Sequence, residues 1–440
     1  MNNQTNFEQS SENWNKVQLK EVIAILESGL RPKGGATEDS GDIPSLGGEN
    51  IKIEGGVIYY PVKRIDLHFF KRLKKGRLED EDVLINKDGA NTGKVGLYEN
   101  KYYKDAAINE HLFRMRGIPE KLNNTYFYYY LLSPYGQKQT AKNITGSAQP
   151  GLNTSFINRF QILIPCSVIE QSKIAEILST IDEAIDKTDK LIEKYKRIKQ
   201  GLMQDLFRYG IDENGNIRSE KTHKFINSPL GRIPVEWECK ELRNYAFITK
   251  LAGFEFTNYF DYQTGGEIIA LRALNIKNES LDLTDVQHIS QKVSDKLPRS
   301  KIYADDILIT YIGAYIGDIL LIKENDKYHL APNVAKIVAG KSINPQYLEL
   351  FLRSEIVQRQ MKNLTAVTAT PSLTMTQIRN LFIYVPFDID EQVRVVSVLT
   401  ATNEVIANEE HYKQKLLAIK HGLMDDLLSG KVRVNHLIKK

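Results

Sequence analysis

The sequence predicts an α+β chain built as an internal repeat, with two similar mixed α/β parts and a long coiled-coil helix after each. Three observations carry this expectation. The first lies within residues 164–207. There Ile174, Leu178, Ile181, Ile185, Thr188, Ile192, Tyr195, Lys199, Leu202 and Leu206 recur at alternating steps of four and three. That spacing is the seam of a coiled-coil helix, with Thr188 and Lys199 as polar steps. The second is a copy of this run further along the chain. Pro165 answers to Pro386, Glu170 and Gln171 to Glu391 and Gln392, Leu178 to Leu399, and residues 201–206 to 422–427, each pair 221 residues apart. The third is that the repeat continues outside the helices. The two tryptophans, Trp14 and Trp237, each stand five residues ahead of a leucine, Leu19 and Leu242.

Taken in order, the halves match element by element. The stretch IPSLGGENI, residues 43–51, answers to IIALRALNI, residues 268–276. Residues 81–85 answer to 305–309, Gly89 and Gly93 to Gly313 and Gly317, and Asn109 to Asn333. Residues 82–85 and 94–98 read as strands around a glycine-rich loop, and 161–164 as a further strand. Residues 126–132 and 347–352 read as helices. The stretch 209–236 is polar, with a turn at 212–216 and a loop at 228–231, and reads as a linker with room for a short hairpin. The second long helix opens its seam with Val395, Leu399, Thr402 and Ile406, continues with Glu409 and Lys413, and then shows an apolar stripe of Tyr412, Leu416, Ile419 and Leu423. At 1.5 Å per residue each long helix spans ~60 Å, the length of a spacer or docking rod. The expected division is therefore a globular part at 1–165, a helix at 166–210, a linker and second globular part at 211–386, a helix at 387–430, and a tail at 431–440.

Composition sets outer bounds. The 440 residues are 42% hydrophobic and 26% charged, with a formal net charge of +4. This is an ordinary globular composition, and its mild basicity permits nucleic-acid binding without arguing for it. Residues 1–12 are polar, so no signal peptide is expected. No apolar run is long enough to span a membrane. Two cysteines, Cys166 and Cys239, give no disulfide framework and point to a reducing compartment. A cytoplasmic protein is expected.

Catalytic signatures are absent where they would be sought. The loop Gly89-Ala90-Asn91-Thr92-Gly93-Lys94-Val95 has one residue too few between its glycines for a P-loop. It also puts Val95 where Ser or Thr must hold the metal. Its counterpart, Gly313 to Gly317, is followed by Asp318 and has no lysine. Asn344-Pro345-Gln346-Tyr347 nearly matches the Asn-Pro-Pro-Tyr signature of adenine-N6 methyltransferases, but no glycine-rich strand-turn for S-adenosylmethionine accompanies it. A helix cap explains it better. No His-x-x-x-His or Cys-x-x-Cys spacing offers a metal site. The expected chain is non-catalytic, with no metal and no cofactor of its own.

Binding is better supported. Basic residues gather at Lys63, Arg64, Lys71, Arg72, Lys74, Lys75 and Arg77; a solvated surface accounts for most such runs. Glycine and polar loops recur at matching places, at residues 29–33, 47–50, 86–94 and 146–153 of the first half. Glycine lets a backbone approach a phosphate, and Asn, Gln, Arg and Lys carry the paired donors and acceptors that read base edges. The candidate DNA-binding residues are Arg31, Lys33, Asn86, Lys87, Asn91, Thr92, Lys94 and Gln149 in the first half. In the second they are Lys250, Arg272, Asn275, Tyr311, Tyr315, Thr368 and Thr370.

These features together resemble the specificity subunit of a type I restriction-modification system. The resemblance rests on the loop at 146–153 ahead of Ile162-Leu163-Ile164-Pro165, and on the Glu170-Gln171 start and Leu178-Ser179-Thr180-Ile181-Asp182 run of the helix. It also rests on the Gly-Leu-Met-x-Asp-Leu helix end, Ile233-Pro234-Val235-Glu236-Trp237 at the opening of the second half, and Leu428 to Val434. It spans nearly the whole chain. It implies two target-recognition domains related by a pseudo-two-fold repeat, each reading one half of a split DNA site. It implies antiparallel long helices that set the gap between the half-sites. It further implies two adenine-methyltransferase (modification) subunits holding S-adenosylmethionine, and restriction subunits using ATP and Mg. The second half departs from the pattern at 365–373, where the glycines and glutamine of the first-half loop are gone. A non-DNA adaptor on a coiled-coil rod, or a solitary methyltransferase or nuclease, are the competing classes.

Overall fold

The computed structural model describes residues 14–39, 41–146, 150–277, 280–325, 327–365 and 371–438. It divides into two compact units, residues 1–190 with 410–440, and residues 191–409. The long helices are Val168–Tyr209 and Ile389–Leu428, and each supplies one stretch to either unit.

In the first unit Trp14–Gln18 pairs antiparallel with Gln161–Pro165, Trp14 standing opposite Pro165. An antiparallel sheet runs in the order Ile23–Ser28, Leu112–Gly117, Val83–Asn86, Val95–Leu97. A smaller sheet orders Arg64–Ile65, Ile43–Leu46, Ala107–Ile108, its last pair parallel. Val83–Asn86 is buried along its length because it lies between two cores. Val83 and Ile85 join Phe113, Met115 and the Tyr126–Leu131 side chains. Leu84, pointing the other way, joins Leu46, Ile51, Tyr98 and Leu112. Successive strand residues face opposite sides, so a strand with a core on each side reads as an unbroken apolar run.

The second unit repeats the plan. Trp237–Glu241 pairs with Phe382–Pro386, Trp237 opposite Pro386. The antiparallel sheet orders Ala246–Lys250, Val334–Ala339, Ile307–Thr310, Ile319–Leu321. Ile307 and Ile309 enter one core and Leu308 the other. The smaller sheet orders Gln287–Ile289, Ile268–Leu271, Tyr328–Leu330, Lys301–Ile302. Its extra edge strand corresponds to Arg77 in the first unit, which makes only a single bridge to Ala107. The stretch after the first long helix holds the hairpin Phe225–Ser228 and Gly231–Pro234, and Ile211 and Ile233 are buried in the core, so it is packed structure rather than a loose connection.

The helices begin where their caps require. Asn123 Oδ1 accepts from Tyr126 N at 2.8 Å ahead of Asn124–Leu132. Asn344 Oδ1 accepts from Gln346 N and Tyr347 N ahead of Pro345–Leu352. Asn344 and Pro345 thus act as cap and first-turn residue. The Glu-Gln starts of the long helices have a stitching role. Gln171, fully buried, donates to Lys121 O and Pro165 O and accepts from Asn123 N. Gln392 donates to Ser342 O and Pro386 O and accepts from Asn344 N.

Two expectations need correction. Asn333 is not the counterpart of Asn109. Asn109 N donates to Leu46 O, and in the second unit Ala331 N donates to Leu271 O. Lys87 N donates to His111 O as Tyr311 N donates to Asn333 O. Asn109 therefore matches Ala331, and His111 matches Asn333. The second correction concerns the later stripe of the second long helix. Leu416 is buried, but Tyr412 and Ile419 are 51% and 50% exposed. The seam instead keeps its four-three step through Lys413 and Lys420, whose ammonium groups meet acids. Within the first unit Lys420 Nζ lies 2.6 Å from Asp182 Oδ1, and Lys413 Nζ 2.7 Å from Asp189 Oδ1. One partner advances seven residues as the other retreats seven, so these helix stretches run antiparallel.

Candidate nucleic-acid interface

In each unit a glycine loop leaves the strand that separates the two cores. Gly93 N donates to Asn86 O, Asn86 N to Lys94 O, Lys94 N to Asn91 O, and Thr92 N to Gly89 O. The second unit makes the same bonds: Gly317 N to Thr310 O, Thr310 N to Asp318 O, Asp318 N to Tyr315 O, and Ile316 N to Gly313 O. Gly93 and Gly317 take φ of 92° and 86°, a left-handed conformation that side chains resist. A glutamine braces each loop from below. Gln137 Nε2 donates to Gly93 O and Leu131 O, and Gln358 Nε2 donates to Gly317 O and Leu352 O. A second segment lies against each loop, through the bridges Asp88 to Gly151 and Ile312 to Ser372. The loop is a hairpin connection and not a strand–loop–helix, so the likeness to a P-loop ends with the glycines.

Side chains differ where the backbone agrees. In the first unit Lys87 Nζ pairs with Asp88 Oδ2 at 2.8 Å and lies over the Phe113 ring. Asp88 Oδ1 meets His111 Nδ1 at 2.6 Å, and His111 Nε2 lies 3.5 Å from Glu110 Oε1. Glu110 Oε1 in turn pairs with Arg31 Nε at 3.0 Å. Predicted residues Arg31, Lys87, Asn91, Thr92 and Lys94 are thus gathered around one surface, with Asn86 beneath it. Thr92 Oγ1 donates to Gly89 O and Pro150 O, tying the loop to the second segment. Lys33 is exposed in the turn after Arg31. Asn86 is buried, and its Oδ1 has no hydrogen-bond partner among the described residues. Its backbone, not its side chain, holds the loop. Gln149 lies outside the described residues. Burial opposes ionisation of Asp88, but Lys87 and His111 outweigh it and hold the carboxyl below its usual range.

In the second unit the charge chain is replaced by aromatics. Lys250 Nζ lies 4.9 Å from the Tyr311 ring centroid, and Lys277 Nζ 5.4 Å from that of Tyr315, both within cation–π range. Arg272 donates to Asp285 O and Oδ1. Asn275 is fully buried. Its Oδ1 accepts from Arg272 N, and its Nδ2 donates to Asp282 O and Asp285 O. Asn50 in the first unit does the same with Gly47 N, Ile58 O and Pro61 O. Both amides are consumed by the turn, so Asn275 shapes the surface from within. Thr368 and Thr370 lie outside the described residues.

Sequence reasoning missed Asp88, Glu110, His111 and Lys277. The three first-unit residues flank glycine or strand positions and carry no motif; only the fold brings 88 and 110–111 together. Among the described residues no group of His, Cys, Asp and Glu is placed to hold a metal ion. No helix among them is long and apolar enough to cross a membrane.

Proteins similar to this chain in sequence and in fold agree with one another. The chain matches the family described as type I restriction modification DNA specificity domain twice, at residues 11–197 and 234–418. It is 24% identical over 433 residues to the type I restriction enzyme MjaVIII specificity subunit of Methanocaldococcus jannaschii, covering 97% of this chain and 94% of that one. It is 24% identical over 356 residues to the EcoBI specificity subunit of Escherichia coli, covering 77% and 72%. Its fold is similar to the S subunit of the type I restriction-modification system of M. genitalium, with a TM-score of 0.55 at 14% identity, over 94% of this chain and 96% of that one. It is similar also to a chain solved in work on assembly and conformational transition of the type I R-M system, with a TM-score of 0.59 at 14% identity, over 95% and 98%. With two matches that together span most of its length, the protein belongs to the type I restriction-modification DNA specificity family, as the non-catalytic subunit that recognises DNA sequence.

Proposed function

We propose that each unit reads one half of a split DNA site through the surface around its glycine loop. The observation that carries this reading is one backbone framework bearing two unlike sets of side chains. Equal scaffolds place equal surfaces against a duplex, while Lys87, His111 and Arg31 in one and Tyr311, Tyr315 and Lys250 in the other favour different base sequences. Cations on these loops supply the phosphate contacts that fix position, and side chains such as Gln149 read base edges. The target-recognition domains are residues 1–165 and the part of 211–386 beyond the linker.

The outward faces of the long helices are the docking sites for modification subunits. Tyr412 and Ile419, seven residues apart and half exposed, present an apolar stripe in the first unit. Leu191 and Ile198 occupy the equivalent positions in the second. Two equivalent stripes fit two copies of one partner. Those modification subunits would carry adenine-N6 methylation and its S-adenosylmethionine, and restriction subunits joined through them would use ATP and Mg. The complex works in the cytoplasm. The test is to express this chain with its modification subunit and map methylated adenines in cellular DNA. A bipartite motif with a fixed gap is the expected result. A continuous motif, or no added methylation, would contradict the reading.

A further inference from the structure

Three cations of the first unit, two of them on the proposed DNA face, are already paired with carboxylates. Arg31 is held by Glu110, Lys87 by Asp88, and Lys63 by Glu49 at 2.7 Å. The three carboxylates come from three separate segments, and two of them, Asp88 and Glu110, share one neighbour. His111 Nδ1 lies 2.6 Å from Asp88 Oδ1, and its Nε2 3.5 Å from Glu110 Oε1. The charged groups of this surface are Asp88 and Lys87 beyond the strand Val83–Asn86, Arg31 beyond the strand Ile23–Ser28, Glu49 in the turn Gly48–Asn50, Lys63, and Glu110 beside the histidine. With a neutral imidazole the set balances at three cations and three anions. The backbone at His111 is held, because its N donates to Asn109 Oδ1 at 2.9 Å, and the ring lies between the Asp88 and Glu110 carboxylates.

DNA disturbs that balance. Each cation that turns to a phosphate leaves its carboxylate behind, and the stranded Asp88 and Glu110 carboxylates flank one imidazole in the field of a polyanion. A nearby negative charge favours the protonated form of a histidine. We propose that His111 is the positioning residue of the first unit's DNA face: it takes up a proton when DNA binds, and so holds the carboxylates that the departing cations release. The inference rests on the DNA reading given above. The sign follows directly. A group whose affinity for protons is higher in the complex than in the free protein makes binding tighter as pH falls, with a slope of at most one decade per pH unit for one proton. The second unit has Asn333 at the matching position, so its half of the interface lacks this coupling.

The experiment uses the full chain assembled with its modification subunits and a duplex carrying the site mapped by methylation sequencing. Binding is measured calorimetrically at neutral pH in phosphate and in Tris, whose ionisation heats differ, and the dissociation constant is followed from pH 6 to 8.5. The expected result is uptake of up to about one proton and an affinity that rises severalfold toward pH 6. His111→Gln should abolish the uptake and flatten the profile at the weaker, high-pH affinity. His111→Arg, which keeps a permanent charge, should flatten it near the tighter, low-pH affinity. Arg rescue without pH dependence is an outcome that a merely structural histidine would not give. Equal heats in both buffers for the wild type, or an unchanged slope in His111→Gln, would overturn the proposal. A duplex that binds at no pH would overturn the DNA reading itself, and the inference with it.

Discussion

Arg433 meets Glu170 through two parallel hydrogen bonds, both 2.8 Å long. Glu170 opens the first long helix, and its side chain is only 3% exposed. In the second unit Arg218 grips Glu391 in the same manner, and Glu391 Oε1 also accepts from Trp237 Nε1 and Ile211 N. The acid at the start of each long helix thus anchors the chain that follows the other one. Removing the arginine strands a buried carboxylate. Arg218→Ala is expected to destabilise the protein by ~3–5 kcal/mol. Arg433→Ala should cost less, because that guanidinium is partly exposed. Urea unfolding of both variants checks the order, and a double change Arg218→Met with Glu391→Gln should recover much of the loss.

The glutamine braces give a second prediction. Gln137→Ala leaves the carbonyls of Gly93 and Leu131 without their donor, at a cost of ~1–3 kcal/mol. Hydrogen exchange should then quicken at residues 86–94 while the strand Leu112–Gly117 stays protected. Uniform exchange across both segments would show that the brace is not local.

Much of this arrangement was legible in the sequence, for identifiable reasons. Heptad spacing and the 221-residue offset gave the long helices, because a seam must recur to stay buried. Asn344 and Pro345 read as a cap because capping is local chemistry. The later stripe of the second helix was misread, since Lys413 and Lys420 look like surface residues until Asp189 and Asp182 are placed across from them. The pairing of Asn109 with Asn333 failed because a two-residue change in loop length carried the asparagine to the position that His111 fills. At the candidate interface the glycine loops were legible and the charge chain was not. Asp88, Glu110 and Arg31 are far apart in sequence, and only the order of strands in the sheet brings them together.

Charge replacement tests the first unit's face. Lys33→Ala and Lys94→Ala should weaken all duplexes alike and reduce the salt slope by about one unit each. Arg31→Ala and Lys87→Ala should weaken binding less, because each cation must first leave a carboxylate. Gln149→Ala should instead relax one base position, by ~1–3 kcal/mol. Four unchanged salt slopes would place the DNA face elsewhere.

Tyr412→Asp and Ile419→Asp test the docking stripe. Both side chains are half exposed, so the isolated chain should keep its unfolding midpoint while losing co-purification with the modification subunit. Retained complex formation by the double variant would move the docking site off this face.

The most direct test of the central claim is a domain exchange read by methylome sequencing. Residues 1–165 are replaced by the matching region of a relative with a different, mapped target, and the chimera is expressed with its modification subunit. The account predicts a bipartite motif in which one half changes to the relative's sequence while the other half and the gap stay as they were. A motif altered in both halves would contradict the claim that each unit reads alone.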